Sequence, residues 1–106
     1  MRVLFDQGNP APLRHLLRGH VGSTAYELGW STLENGELLA AAEGQAFESL
    51  VTTDMSLKYQ QNLGARRIAI VVLGTTSWPR IKAAVEGVVM AIGTAAPGTY
   101  AEVAIP

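Results

Sequence analysis

Three acidic residues occupy positions from which their side chains could meet. Asp6 follows the first short apolar segment, Glu37 lies in the first turn of a predicted helix, and Asp54 follows a later apolar segment. If those segments are parallel strands, their carboxyl ends lie at one edge of the sheet, where such folds bind ligands. Carboxylate oxygens are the ligands that Mg²⁺ and Mn²⁺ prefer. The spacing therefore predicts a metal site formed by Asp6, Glu37 and Asp54, suited to activating a water for hydrolysis.

Each of these acids also has a structural explanation of its own. Asp54 is a suitable cap for the helix that follows, Glu37 complements a helix dipole, and Asp6 is able to hydrogen-bond the next turn. Because all three are expected at the same sheet edge, their combination favours a shared metal site over three independent structural roles.

Hydroxyl, basic and aromatic side chains surround the third acid. Thr52 precedes Asp54 by two positions and Ser56 follows it by two, so both hydroxyls are candidates to support the site. In the polar segment beyond them, Lys58 is a candidate contact to a phosphate and Tyr59 a candidate to stack on an unpaired base. An exposed helix face explains Lys58 and Tyr59 equally well.

The composition limits the classes of protein that this chain can be. Its 106 residues suffice for one domain, and 48% apolar against 16% charged residues suits a compact core. A formal net charge of −1 gives no global attraction for nucleic acid, so binding it requires a local patch or metal ions. The absence of cysteine excludes disulfides and thiolate metal sites.

Several other kinds of site are disfavoured by the motifs that are missing. His15 and His20 lack the spacing of a zinc-binding pair, so we expect them on the surface. No glycine-rich phosphate loop follows a predicted strand, which argues against a nucleotide-binding role. The short apolar runs suit neither a signal-peptide core nor a membrane span, so we expect a soluble protein of the cytoplasm.

The elements that must position the acids alternate between strands and helices. Short apolar runs bounded by turn residues predict the strands, and apolar residues at helical spacing, with Asn35 as a cap, predict the helices. The predicted strands are 2–5, about 23–26, 49–53, 67–73 and 100–105, and the predicted helices are 12–19, 35 to 44 or 47, 55–62 and 79–92. This order predicts a single three-layer α/β/α domain, residues 1–106, with a mostly parallel sheet of about five strands.

Three stretches of the chain resemble a family of short PIN-like proteins. They are Leu4-Phe5-Asp6-Gln7, Asn35-Gly36-Glu37-Leu38-Leu39 and Leu50-Val51-Thr52-Thr53-Asp54, and their order and spacing extend the resemblance over nearly the whole chain. PIN domains are parallel α/β/α nucleases, and many are the toxin half of a bacterial or archaeal toxin–antitoxin pair.

The resemblance implies a function as well as a fold. It implies that Asp6, Glu37 and Asp54 are metal-binding catalytic acids and that Thr52 is the hydroxyl residue before the third acid. The implied activity is Mg²⁺- or Mn²⁺-dependent cleavage of single-stranded RNA. The implied partner is a small antitoxin protein, and a homodimer is compatible with the sequence.

One departure from the family pattern leaves two other functions open. Such families often have a further Asp two positions after the third acid, where this chain has Ser56. A nuclease with one metal, a weak nuclease, or a PIN-like protein that acts only by protein–protein interaction would have this pattern. A receiver-like domain phosphorylated on Asp54 is less favoured, because Gln7 follows Asp6 and no lysine follows Lys82.

Overall fold

The computed structural model of the chain describes residues 2–6, 21–30, 32–33, 35–53 and 66–105. These residues contain the strands β1 (Arg2–Phe5), β2 (Val21–Thr24), β3 (Ser49–Thr52), β4 (Ala69–Leu73) and β5 (Tyr100–Val103). They also contain the helices α1 (Asn35–Gly44), α2 (Trp78–Ala83) and α3 (Val85–Thr94). None of the described helices has the length and apolar character needed to cross a membrane.

The five strands form one parallel sheet in the order β2-β1-β3-β4-β5. Phe5 of β1 lies opposite Thr24 of β2 on one side and Val51 of β3 on the other. The strand order changes direction at β1, because β2 pairs on one side of it and β3 on the other. In doubly wound sheets the carboxyl ends of two such strands form the crevice that binds ligands. The crevice of this fold therefore lies between β1 and β3.

The buried apolar side chains of the described residues form two clusters, and each cluster contains residues of both strands and helices. Every residue of β3 and β4 is buried, which explains why β4 is continuously apolar in sequence, whereas β3 also buries the polar residues Ser49 and Thr52. Side chains of α1 contribute Leu38, Leu39 and Ala42 to the cluster that contains Leu4, Leu50, Ile70 and Val72. Side chains of α2 and α3 contribute Ile81, Val88 and Ile92 to the opposite cluster, which contains Val3, Phe5, Val51, Val71 and Leu73.

The end of α1 is set by a Schellman motif. The N–H of Phe47 donates to the carbonyl of Ala42 at 3.0 Å, and the N–H of Ala46 donates to that of Glu43 at 3.1 Å. Ala46 adopts φ = 61°, the left-handed conformation that this motif requires and that glycine usually supplies. The motif turns the chain from α1 into β3, and Phe47 is buried beneath the helix.

Within the described residues, the predicted elements agree with the structure in type and differ at some boundaries. β1 has the predicted bounds, α1 ends at Gly44, the earlier of its two predicted ends, and β5 is an edge strand. The second strand was predicted at about 23–26, but β2 is Val21–Thr24, two residues earlier. Hydrogen bonds between Thr24 and Glu27 turn the chain after Thr24 and end the strand there. The predicted helices 12–19 and 55–62 lie outside the described residues.

The predicted helix over 79–92 is two helices, α2 and α3, separated at Ala84. Ala84 has φ = −109° and ψ = 17°, and its N–H bonds back to the carbonyl of Ile81 at 3.0 Å. Neither proline nor glycine stands at the break, so the local sequence does not indicate it. Both helices bury side chains in the same cluster, Ile81 from α2 and Val88 from α3. We therefore attribute the break to the packing of the two helices on the sheet.

Candidate functional site

Asp6 and Thr52 are joined in the crevice between β1 and β3. The N–H of Asp6 donates to the carbonyl of Val51 at 3.0 Å, which extends the pairing of the two strands by one residue. The Thr52 hydroxyl then donates to Asp6 Oδ2 at 2.8 Å. Thr52 is 1% exposed and Asp6 is half-buried. The carboxylate of Asp6 is therefore held in one orientation at the carboxyl edge of the sheet.

The local sequence explains why these two residues meet. Aspartate is unfavourable inside a strand, so β1 ends at Phe5 and Asp6 follows it. Threonine is favourable in a strand, but its hydroxyl needs a partner when the residue is buried. The carboxylate of Asp6 accepts a hydrogen bond from the buried Thr52 hydroxyl. The pair places one oriented carboxylate where doubly wound folds bind ligands.

Glu37 lies in the first turn of α1, as predicted, and is exposed. The chain leaves β2 at the carboxyl edge and enters β3 at the amino edge, so α1 runs back across the sheet and begins near the carboxyl edge. Its neighbours Leu38 and Leu39 are the side chains that pack on the sheet. Glu37 is thus on the expected side of the fold, on a part of the helix that faces solvent.

The predicted group of three acids is only partly covered by the structure. Asp54, Ser56, Lys58 and Tyr59 lie outside the described residues. Within the described ranges, no group of three His, Cys, Asp or Glu side chains is arranged to hold a metal ion. The structure therefore brings Asp6 and Thr52 together, while the three-acid site of Asp6, Glu37 and Asp54 stays a prediction.

A turn beside Asp6 was not singled out from the sequence. The N–H of Thr24 donates to Glu27 Oε1 at 3.0 Å, and the N–H of Glu27 donates to the Thr24 hydroxyl oxygen at 3.1 Å. The Thr24 hydroxyl also donates to Glu27 Oε1 at 3.1 Å. This reciprocal arrangement is that of a capping box, and the T-x-x-E pattern of 24–27 was the signal available for it. The turn lies at the carboxyl end of β2, next to β1.

Polar groups also line the carboxyl end of β4. Thr75 and Ser77 follow the strand, and the N–H of Ser77 donates to the Thr75 hydroxyl oxygen at 3.1 Å. A cavity of about 210 Å³ lies beside them between β4 and β5. It is lined by Val72, Gly74, Glu102, Val103 and Ala104. These two hydroxyl residues therefore lie at the carboxyl end of β4, the strand next to the one that carries Thr52.

The opposite, amino edge of the sheet carries an ion pair. Arg66 Nη1 donates to Glu43 Oε1 at 2.7 Å, and the N–H of Arg67 donates to Glu43 Oε2 at 2.7 Å. Burial raises the pKa of Glu43, but these two hydrogen bonds and the two positive charges outweigh it, so the pKa lies below its ordinary value. Arg66 and Arg67 thus lie at the edge of the sheet away from Asp6.

A larger cavity lies at the same amino edge. Its volume is about 280 Å³, and Glu43, Ala46, Phe47, Glu48, Arg67, Ala95 and Pro97 line it. Close by, the Arg2 guanidinium lies 4.4 Å above the centre of the Phe47 ring and donates to the carbonyl of Gln45. Trp30 contacts the same ring edge-to-face at 6.1 Å. These contacts join the end of α1 to the start of β1 and are remote from the crevice.

Comparisons of the chain with models of known protein families, with curated proteins and with solved structures find no significant match in any of the three. The chain has an α/β fold with a five-stranded parallel sheet, and the crevice between β1 and β3 holds an oriented aspartate.

Proposed function

We propose that this chain is a PIN-like, metal-dependent ribonuclease with a three-layer α/β/α fold and is the toxin component of a toxin–antitoxin pair. The observation that supports it most directly is the hydrogen bond of 2.8 Å from Thr52 to Asp6 in the crevice between β1 and β3. A hydroxyl that orients a carboxylate is the support that metal-binding carboxylates usually have. Asp54, the third predicted acid, follows Thr52 by two residues.

The residues of the crevice fit a hard divalent cation. Asp6 offers oxygen ligands, as Glu37 and Asp54 would, and Mg²⁺ and Mn²⁺ prefer such ligands. In this proposal the three acids hold the ion and Thr52 keeps Asp6 in its orientation. When bound, the ion supplies positive charge that activates a water and offsets the negative charge developing on a phosphodiester. Lys58 and Tyr59 contact the RNA backbone and a base.

The proposal extends to the cellular setting. Single-stranded RNA is the substrate, the cytoplasm is the place of action, and a small antitoxin protein is the partner. The second candidate within the same family is a PIN-like protein that acts only through protein–protein contacts. It is favoured by Ser56, which stands where a fourth acid would complete a site for a second metal ion.

A receiver-like phosphoacceptor domain is the other candidate, because the strand order β2-β1-β3-β4-β5 is shared with response-regulator receivers. A receiver needs paired acids after β1 and a lysine near the end of β5. Gln7 follows Asp6, and β5 is followed by Ala104, Ile105 and Pro106. Treatment with acetyl phosphate separates the two functions: a receiver gains one phosphoryl group on Asp54 by intact mass, whereas the nuclease gains none.

The nuclease proposal is tested by incubating the purified chain with labelled single-stranded RNA and Mn²⁺ or Mg²⁺. We expect weak cleavage that EDTA abolishes and that Asp6→Asn, Glu37→Gln and Asp54→Asn each reduce at least a hundredfold. The matched control is Glu86→Gln, which removes an exposed acid on α3. Helix α3 packs in the other apolar cluster from α1, which carries Glu37, so this variant should cleave RNA like the parent. Equal cleavage by all four variants would assign the activity to a contaminant and leave the interaction-only candidate.

A further inference from the structure

The exposed apolar side chains of the described residues are not evenly spread. Three large ones are exposed: Tyr26 at 79%, Met90 at 69% and Leu28 at 37%. Tyr26 and Leu28 lie in the same turn, which follows β2 over residues 25–29. A single exposed apolar residue needs no explanation, whereas two in one short turn beside the crevice offer apolar contacts to a molecule bound there.

The turn that carries Tyr26 is held firmly at both ends. Its first end is fixed by the reciprocal bonds between Thr24 and Glu27. At its other end the N–H of Gly29, which has φ = 74°, donates to the carbonyl of Tyr26 at 3.1 Å. Trp30 follows, with its N–H bonded to the carbonyl of Ala25 at 2.9 Å and its ring packed against the core. The Tyr26 ring is therefore presented to solvent from an ordered backbone.

The position of the turn relates Tyr26 to the crevice. The N–H of Ala25 donates to the carbonyl of Phe5 at 2.9 Å, so the turn starts beside the last residue of β1. Asp6 follows Phe5 directly after the end of β1. Neighbouring strands are about 5 Å apart. Tyr26 is thus one residue beyond a direct contact with β1, on the side of Asp6 away from Thr52.

We propose that Tyr26 is a binding residue that stacks on an unpaired base of single-stranded RNA while the neighbouring backbone lies across the crevice at Asp6. The proposal rests on the proposed nuclease function and deepens it by naming a subsite for a base. Proteins that bind single strands use exposed aromatic rings in this way, because every base has a face on which a ring can stack. A ring on an ordered turn loses little conformational freedom when the base binds.

The test measures binding separately from cleavage. Fluorescence anisotropy would follow a labelled single-stranded RNA of about ten nucleotides, with Ca²⁺ in place of Mg²⁺ and the RNA checked for integrity by gel. We expect Tyr26→Ala to weaken binding roughly tenfold, as loss of one stacked base does. Tyr26→Phe should bind like the parent, and Tyr26→Leu, which keeps apolar bulk without an aromatic face, should bind like Tyr26→Ala. The matched control is Met90→Ala on α3, which should not change binding.

A series of the same RNA with one abasic nucleotide at successive positions identifies the stacked base. At one position the abasic nucleotide should weaken binding of the parent roughly tenfold and binding of Tyr26→Ala hardly at all. Loss of affinity by Tyr26→Ala that is the same for every RNA in the series would overturn the stacking proposal. Equal binding of RNA by the parent and by Tyr26→Ala would also overturn the stacking proposal. The nuclease proposal would still stand in that case if the parent cleaves RNA. A parent that neither binds nor cleaves RNA would overturn both.

Discussion

The Thr52 hydroxyl donates a hydrogen bond of 2.8 Å to Oδ2 of Asp6, a residue 46 positions earlier in the chain. The bond crosses from β3 to the residue that follows β1, at the carboxyl edge of the sheet. It satisfies a hydroxyl in a residue that is 1% exposed and orients a carboxylate that is half-buried. The same contact therefore contributes to the stability of the fold and to the geometry of the candidate site.

Replacing Thr52 by valine should destabilise the fold by about 1.5 kcal/mol, because the variant keeps the shape of the side chain and removes a hydrogen bond to a charged group. In a domain of this size that corresponds to a fall in Tm of several degrees. Thermal unfolding followed by circular dichroism would measure it. Thr52→Ser, which keeps the hydroxyl, should lose less, and Thr76→Val, at an exposed position after β4, should stay within about 0.5 kcal/mol of the parent. A Thr52→Val variant as stable as Thr76→Val would mean that the bond contributes nothing to stability.

Metal ions should stabilise the parent if the three acids form a site. An ion bound with a dissociation constant of about 1 mM and supplied at about tenfold excess over it adds about 1.4 kcal/mol to the free energy of unfolding. Melts with EDTA, Mg²⁺ and Mn²⁺ should therefore show a rise in Tm of several degrees. Asp54→Asn should lose most of this rise, whereas Glu86→Gln should keep it. If tens of millimolar of either ion leaves the parent unchanged, the metal site is excluded and the interaction-only candidate is favoured.

The ion pair at the amino edge predicts a pH dependence of stability. Because the hydrogen bonds from Arg67 and Arg66 outweigh burial, the pKa of Glu43 is lower in the folded chain than its ordinary value of 4.5. A lowered pKa stabilises the fold above the ordinary value, and this contribution is lost as the pH falls below it. The free energy of unfolding of the parent should therefore exceed that of Glu43→Gln most at neutral pH, and the gap should narrow below pH 4.5.

Urea unfolding of the parent and of Glu43→Gln at several pH values would measure that gap. The matched control is Glu86→Gln, an exposed acid on α3, for which the difference from the parent should be small and nearly constant with pH. A gap for Glu43→Gln that widens on acidification would contradict the assignment of the ion pair as a stabilising contact.

Glycine at position 46, at the end of α1, should give a more stable fold than the alanine that is present. Ala46 has φ = 61°, a conformation that costs a residue with a Cβ roughly 1–2 kcal/mol. Glycine removes that cost and adds roughly 0.5–1 kcal/mol of chain entropy to be lost on folding. Ala46→Gly should therefore stabilise the fold by about 0.5 kcal/mol, measured by the urea midpoint. Ala40→Gly, the same substitution at an exposed position inside α1, should destabilise it by about 1 kcal/mol. A loss of stability in both variants would contradict this interpretation of the helix end.

Much of the fold followed from local features of the sequence. β1 was predicted with the bounds it has, and α1 with Gly44 as one of two ends, because an apolar run that stops before Asp6 and a run of helix formers after Asn35 are short-range signals. The buried strand β4 was predicted for the same reason, since its continuous apolar residues belong in the interior, and β3 was predicted as the short run that leads into Asp54. The alternation of strands and helices then indicated a parallel sheet and a common edge for Asp6 and Asp54.

Within the described residues, the sequence by itself indicated which segments are strands and which are helices, and that the first strand stops before Asp6. Only the tertiary structure decided that β3 lies beside β1, that Thr52 bonds Asp6, and that the turn carrying Tyr26 lies on the other side of β1. It also divided the predicted last helix at Ala84. The reason is that propensity and periodicity act over a few residues, whereas strand neighbours and helix breaks are chosen by packing among segments tens of residues apart.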